Sequence, residues 1–343
     1  MNSAAQMHHR AVQTNHRGQS GALVISLDFE LHWGVRDCVP LDKAERKRLL
    51  IARAMVPKIL ALFSEYSIRA TWATVGALFA DSGEQFNAFA PRTRPAYAAS
   101  TLNPYIEKLG RSEQDDPFHF APSLIREIAS TSGQEIASHS FSHYYCMEKG
   151  QDGEAFEADL VSAVSIARHC GYRLESFVFP RNQANRAYFS VAARHGIRVI
   201  RAVGEAGPYA AMDFNGQKRW KHRGARLLDT FTNVYGAQTV PWPVHESPAI
   251  LKPSRYLQPC RSWLRPLDSL KIDRIVSQMK AAAEEGTVFH LWWHPEDFAT
   301  GGDANLSVLR QVLCAFCELR DRKRMRSLNM ADTIRVKARS KQN

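Results

Sequence analysis

The sequence predicts an α/β fold in which a parallel sheet closes into a barrel. Short apolar runs alternate with longer amphipathic stretches about six or seven times, which is typical of successive β–α units. The first apolar run, over residues 22–27, is almost continuous, as in a strand that is buried on both faces. No glycine-rich phosphate loop follows this run, so a doubly wound dinucleotide-binding sheet has no support and the barrel remains.

The order of elements follows from the apolar periods and the breaker residues. Alternating or continuous apolar runs predict strands over residues 22–27, 68–75, 134–138, 175–179, 197–202 and 287–293. Amphipathic periods predict helices over residues 41–66, 122–132, 152–170, 185–195, 267–285 and 305–319. Pro57 lies in the first of these helices and should restart it, because proline is tolerated in the first turn of a helix but not in its middle.

Several segments depart from this alternation. Residues 81–122, after the second strand, are polar, contain five prolines and have no clear period, so we expect an elaborated loop or cap. Residues 203–265 are rich in Pro, Gly, Trp and Arg, with short strand candidates at 226–229 and 238–240. We divide the chain into a disordered tail (1–20), a barrel (21–320) and a basic C-terminal segment (321–343).

Composition narrows the class of protein. The 343 residues are 45% hydrophobic and 23% charged, which excludes wholesale disorder, and no apolar run of about 18 residues predicts an integral membrane segment. Residues 1–20 are polar and lack the apolar core of a secretory signal, which favours a cytoplasmic location. The net charge of +11 suggests an anionic partner, but no nucleic-acid motif accompanies it, so we expect no nucleic acid. Much of the excess lies in residues 321–343, which we interpret as a solvated tail that has room to add a short strand and helix.

Polar residues stand at the carboxyl ends of four predicted strands. They are Asp28, His139, Arg181 and His294. In a β/α barrel these strand ends meet at one mouth, where active sites are built. Each residue alone reads as a capping or solvated group, but the four together favour a site.

The pattern at this mouth is typical of a metal-dependent hydrolase. In His139-Ser-Phe-Ser-His143 the two imidazoles reach one ion if the chain turns helical after the strand. Asp28 and Glu30 are two apart, so both carboxylates face the mouth if the strand continues. Two histidines, a carboxylate and a water form a common hydrolytic zinc site, in which a second carboxylate deprotonates the water.

These residues resemble the polysaccharide deacetylase family, also called the NodB-homology family, which is carbohydrate esterase 4-like. The motifs that carry the resemblance are Asp28 with Glu30, His139-Ser-Phe-Ser-His143, Phe179-Pro-Arg-Asn-Gln183 and Leu291-Trp-Trp-His-Pro295. The resemblance implies a distorted (β/α)7 TIM-like barrel with one divalent metal ion, zinc. It also implies a base (Asp28), metal ligands (His139 and His143), a residue that orients the base (Arg181) and a general acid (His294).

The sequence departs from the family pattern beside the base. Phe29 stands where the family has a second aspartate. Glu30 then supplies the third metal ligand, or Asp28 binds the metal and Glu30 or a water molecule serves as base. Residues 203–242 contain no convincing match for the family's aspartate–tryptophan motif.

The resemblance implies hydrolysis of an acetamido group on a sugar. Our hypothesis is N-deacetylation of a glycoconjugate precursor, nucleotide-linked or lipid-linked, in cell-surface polysaccharide biosynthesis. Two alternatives stay open: another carbon–nitrogen hydrolase of the superfamily, acting on a ureide, cyclic imide or formamide, and a non-catalytic carbohydrate-binding relative. Aromatic faces often bind sugars but also fill barrels. The candidate substrate contacts are Trp33, Trp72, Asn182 and Trp292.

Overall fold

The computed structural model describes residues 19–203, 238–243 and 246–339. Its strands form one sheet in which every ladder is parallel, in the order β6-β5-β4-β3-β2-β1-β8-β7, with β9 also paired to β1. The strands are β1 (Ala22–Phe29), β2 (Ala70–Thr74), β3 (Gln134–Ser138), β4 (Ser176–Val178), β5 (Val199–Arg201), β6 (Ala249–Leu251), β7 (Arg255–Tyr256), β8 (Val288–Trp293) and β9 (Arg326–Leu328). The α/β fold with a parallel sheet is confirmed and is consistent with a (β/α)7 barrel.

Helices follow most of the strands, as β–α units require. They are α1 (Lys43–Glu65), α2 (Gly83–Phe89), α3 (Pro122–Ser130), α4 (Gly153–His169), α5 (Phe189–Arg194), α6 (Asp268–Glu285), α7 (Asp303–Lys323) and α8 (Met330–Arg339). Asp152 caps α4 by accepting a hydrogen bond from the backbone N–H of Ala155. Gly286 ends α6 with φ of 69°, a left-handed conformation that favours glycine. Among the described residues, none of these helices has both the length and the apolar character needed to cross a membrane.

The expected interruption of the first helix is wrong. α1 runs through Pro57 as one helix of 23 residues. Val56 and Ile59, on either side of the proline, are fully buried in the core. Packing of this apolar face holds both turns in line and outweighs the hydrogen bond that proline removes.

Two strands escape prediction because they are too short to show a period. β6 and β7 contain three and two residues and lie in the irregular region after β5. Of the candidate strand at 238–240, Val240 alone forms an isolated bridge, to Val288. The candidate at 226–229 and the tail 1–18 lie outside the described residues.

The basic C-terminal segment is not a solvated tail. β9 pairs with β1 through Ala22–Arg326 to Val24–Leu328, and Met330 at the start of α8 is fully buried. This segment therefore belongs to the sheet layer, and its basic side chains at residues 322–326 and 335 are exposed. The short strand and helix expected in this segment are confirmed as β9 and α8.

Candidate functional site

The carboxyl ends of β1, β3 and β8 bring the principal polar residues together. Glu30 follows β1, His139 follows β3 and His294 follows β8. In the register of the sheet, β1 lies beside β8 on one edge and beside β2, and then β3, on the other. The parallel arrangement therefore delivers these three side chains to the same mouth, as the sequence predicts.

A buried carboxylate meets two buried imidazoles. Glu30 Oε1 lies 2.8 Å from His139 Nε2 and 3.3 Å from His143 Nε2. His139 Nδ1 lies 2.9 Å from the carbonyl oxygen of Val178, which only accepts, so Nδ1 carries the proton and Nε2 presents its lone pair. Gly34 leaves room for this arrangement, since a Cβ there would stand 1.7 Å from Glu30 Oε2.

The protonation states of the trio suit a metal site. Burial alone would raise the pKa of the Glu30 carboxyl, but the imidazoles of His143, His294 and His139 hold it well below its usual range. Burial lowers the pKa of His143 to about 4, although Glu30 opposes the shift. At neutral pH Glu30 is thus a carboxylate and His143 a neutral imidazole, the forms in which these groups bind cations.

A buried aspartate on α4 shapes the loop between the two histidines. Asp159 accepts hydrogen bonds from the backbone N–H of Phe141 (2.7 Å) and of Ser142 (3.2 Å) and from Ser142 Oγ (2.5 Å). Ser140 and His143 have φ of 60° and 58°, so the chain bends sharply rather than turning into the expected helix. The two imidazoles converge through this bend, and Asp159 replaces the hydrogen bonds that a helix would have supplied.

Asp28 is held by an arginine that the sequence did not single out. Arg201 Nη1 and Nη2 donate to Asp28 Oδ1 and Oδ2 at 2.7 and 2.6 Å, a bidentate pair that is buried. Arg201 Nη1 also donates to Ser26 Oγ at 2.9 Å. Arg201 is the last residue of β5, so the rule that found the other polar strand ends would have found it too.

Arg181 has a different partner from the one the resemblance implies. Its Nη2 donates to both carboxylate oxygens of Asp37, at 2.6 and 2.7 Å, and its guanidinium lies over the ring of Tyr145 at 4.6 Å. Tyr145 in turn donates its hydroxyl to Asp37. The contact with Asp28 is therefore made by Arg201, because β5 points its terminal side chain into the mouth while Arg181, with φ of 54°, follows a bend.

His294 stands opposite Asp28 with its own carboxylate support. His294 Nε2 lies 3.9 Å from Asp28 Oδ2 and 3.8 Å from Glu30 Oε1, and its Nδ1 lies 3.0 Å from Asp297 Oδ2. Tyr256 donates its hydroxyl to the same Asp297 oxygen. Burial alone would lower the pKa of the imidazole, but Glu30, Asp297 and Asp28 raise it to about 10. His294 is therefore protonated at neutral pH, and about a third of its side chain is exposed to the mouth.

The four candidate substrate contacts divide into two pairs. Trp33 and Trp72 are fully buried, where their indole N–H groups donate to His119 O and Gln134 Oε1, so both are core residues. The idea that they bind substrate is wrong, because large aromatics here fill the barrel. Trp292 is half-buried beside His294, with the Arg201 guanidinium 4.4 Å from its ring centroid, and Asn182 Oδ1 accepts from Arg201 Nη2 at 3.2 Å.

Comparison with known proteins supports the family at the level of sequence and the fold at the level of structure. Residues 42–200 match the family model of polysaccharide deacetylases. This match includes His139, His143 and Arg181, whereas Asp28, Glu30 and His294 lie on either side of it. Among curated proteins, none matches the sequence.

Solved structures with the same fold cover nearly the whole chain at low identity. A candidate polysaccharide deacetylase from Mycobacterium smegmatis is 13% identical, with a TM-score of 0.59 over 94% of this chain and 93% of its own. Puue allantoinase is 12% identical, with a TM-score of 0.55 over 93% of this chain and 90% of its own. A candidate polysaccharide deacetylase from Pseudomonas aeruginosa PAO1 is 12% identical, with a TM-score of 0.54 over 92% of this chain and 89% of its own. The chain thus has the fold of these proteins, and its residues 42–200 match the family model of polysaccharide deacetylases.

Proposed function

We propose that this protein is a metal-dependent hydrolase of carbon–nitrogen bonds whose substrate is an acetamido sugar. One observation carries the proposal: Glu30, His139 and His143 place one donor atom each within 4.8 Å of one another. Two imidazoles and one carboxylate are a common ligand set of catalytic zinc, which leaves a position for water or substrate. The donor set fits a divalent cation, and zinc is the ion we propose.

The roles of the two carboxylates follow from their neighbours. Glu30 touches both histidines and so would be the third ligand, whereas Asp28 is engaged by Arg201. When bound, the cation polarises an amide carbonyl and makes a water molecule more acidic. Asp28 accepts the proton of that water as it attacks the carbonyl carbon, and the two hydrogen bonds from Arg201 orient the carboxylate.

His294 supplies the second proton transfer. Its protonated Nε2 faces the mouth and gives its proton to the nitrogen of the departing amine as the carbon–nitrogen bond breaks. Asp297 holds the Nδ1 side of the ring, which fixes its orientation and stabilises the cationic form. The products are acetate and the free amino sugar. The half-buried Trp292 beside His294 offers an aromatic face for the sugar ring.

The experiment is a product assay on zinc-loaded full-length protein. The panel contains a free acetamido sugar, a nucleotide-linked one, a formamido sugar, a cyclic imide and a ureide, and the readouts are acetate, formate, new amine and ring opening. Acetate from the acetamido sugars, lost in a His139→Ala/His143→Ala variant, supports the proposal. A preference for the nucleotide-linked sugar would support a precursor in cell-surface polysaccharide biosynthesis.

The same panel separates the alternatives. Formate or a ring-opened acid without acetate would indicate another carbon–nitrogen hydrolase and overturn the assignment to acetamido sugars. Binding of a sugar without any product, by protein that holds stoichiometric zinc, would indicate a carbohydrate-binding protein.

A further inference from the structure

A second group of histidines and a carboxylate lies where the polar insertion meets the barrel. His32 is in the short helix Leu31–Gly34 that follows β1, and His119 and Glu107 belong to the insertion between β2 and α3. The donor atoms of these three residues lie within 4.8 Å of one another. None of them is part of the trio described above, and the proposed deacetylation does not use them.

Two nitrogens in this group are buried without hydrogen-bond partners. They are His32 Nδ1 and His119 Nε2, on side chains that are 2% and 1% exposed. Orphaned buried groups of this kind are uncommon in proteins, because an unpaired buried polar atom costs about 1–3 kcal/mol. The nearest acceptor to His119 Nε2 is Glu107 Oε2 at 3.9 Å, too far for a hydrogen bond.

The hydrogen bonding of His119 leaves a lone pair on Nε2, the nitrogen that lies near Glu107. His119 Nδ1 lies 2.9 and 3.0 Å from the two carboxylate oxygens of Asp116, so Nδ1 carries the proton. A carboxylate behind one ring nitrogen, with the other nitrogen free, is the arrangement that supports histidine ligands of zinc. His119 is therefore oriented as a ligand would be.

Hydrogen bonds and ring contacts join the helix Leu31–Gly34 to the insertion around this group. The backbone N–H of His32 donates to Phe118 O at 3.2 Å, and Trp33 Nε1 donates to His119 O at 2.9 Å. The rings of His32 and His119 stand edge to face with centroids 5.2 Å apart. The Glu107 side chain is 23% exposed, and a small movement of its carboxylate would bring the remaining distance to about 3.4 Å, the separation of two ligands in a tetrahedral zinc site.

We propose that His32, Glu107 and His119 bind a second divalent cation of the zinc class, distinct from the ion expected at Glu30, His139 and His143. Three protein ligands leave the fourth position of a tetrahedral site for water. The ion would fasten the insertion to the short helix that follows the ligand Glu30, and thus stiffen one wall of the mouth.

The test counts metal with the first site removed. Full-length protein, its His139→Ala/His143→Ala variant, and that variant carrying Glu107→Gln or His119→Gln are loaded with Zn²⁺, gel-filtered and measured by mass spectrometry for metal. We expect about two zinc ions per chain in the unchanged protein and about one in the His139→Ala/His143→Ala variant, because each ligand set holds one ion. Adding either Glu107→Gln or His119→Gln should leave less than half an ion per chain. His195→Gln, which alters a half-buried histidine paired with Glu157, is the matched control and should keep the full content.

Melting temperature and cobalt absorption provide two further tests of the second metal site. Zinc should raise the melting temperature of the His139→Ala/His143→Ala variant. This shift should disappear when Glu107→Gln is added, a change that keeps the size of the partly exposed side chain. Cobalt absorption in the visible range should fall in parallel. Complete loss of metal in the His139→Ala/His143→Ala variant, or a content unchanged by both Glu107→Gln and His119→Gln, would overturn the second site. A second site that persists while the product panel stays negative would contradict the proposed function alone.

Discussion

The molecule contains two clusters of two histidines and one glutamate, one beside the ends of regular strands and one on irregular segments. Glu30, His139 and His143 are delivered by the ends of strands β1 and β3, whose register fixes where each side chain goes. His32, Glu107 and His119 come from a short helix and a long insertion, where no repeating geometry relates one residue to another. Chemistry at strand ends can therefore be inferred from sequence spacing, whereas chemistry on irregular segments emerges only once the chain is folded.

The largest effect should follow from loss of the strand-borne carboxylate ligand. Glu30→Gln removes the carboxylate charge that contacts both His139 and His143, so we expect activity to fall about 10³-fold or more, with loss of one zinc per chain. Glu135→Gln is the control, since Glu135 is a half-buried carboxylate that accepts a hydrogen bond from Thr71 at the opposite end of β3. Zinc content and turnover that survive Glu30→Gln would assign the ligand role to Asp28 instead.

The next effect separates the two arginines. Arg201→Lys keeps the charge but loses the bidentate fork on Asp28, so we expect kcat to fall about 10²-fold with little change in zinc content. Arg181→Lys alters a pair with Asp37 and should cost far less in kcat. Measured kcat values in the reverse order would restore the role that the motif resemblance assigns to Arg181.

A smaller effect is expected from the loop that joins the two histidines. Asp159→Asn weakens the acceptor for Phe141 and Ser142, so we expect zinc affinity to fall about tenfold, as for other groups that support ligands. Titration with a competing chelator measures this loss. An unchanged affinity would show that the bend between the histidines holds without Asp159.

The same residue predicts a pH dependence. Burial raises the pKa of Asp159 to about 6, above its ordinary value near 4, although hydrogen bonds from Ser142 and Phe141 oppose the shift. The folded protein therefore binds this proton more tightly than the unfolded chain does, so the stability associated with it is present below about pH 4 and is lost as pH rises through about 6. Urea unfolding of metal-free protein between pH 4 and 7 should show this decline, and Asp159→Asn should remove it.

The smallest effect on activity is expected far from the mouth. Met330→Ala leaves a cavity under α8 and should lower the free energy of unfolding by about 2–5 kcal/mol. Activity per folded molecule and zinc content should stay at the wild-type level, since β9 and α8 pack at the opposite end of β1 from Glu30. A variant that retains full stability would return the C-terminal segment to the solvated tail that its charge suggested.

The sequence predicted those helices and strands that show a clear hydrophobic period or have clear boundary residues. The strand over residues 134–138 and the helix capped at Asp152 are confirmed, because β3 is bounded by clear breakers and α4 by an aspartate cap. The uninterrupted course of α1 through Pro57 was not predicted, because tertiary packing holds the helix together. β6 and β7 were not predicted, because strands of three and two residues show no period.

At the site, the convergence of Asp28, His139 and His294 at one mouth could be predicted, but partner choice could not. Whether Arg181 or Arg201 reaches Asp28 depends on a backbone bend of a few residues, which spacing does not reveal. Trp33 and Trp72 show the same limit, since an aromatic near a strand end can face either the mouth or the core.

The pairing of β9 with β1 has a consequence for the order in which the protein is made. Residues 22–24 pair with backbone segments that lie far later in the sequence, at 288–290 and 326–328. Domains assemble as their segments appear, and contacts between distant segments are closed last. The strand that carries Asp28 and leads to Glu30 thus stays half-paired until β8 and β9 have been synthesised, and only then can the mouth be completed.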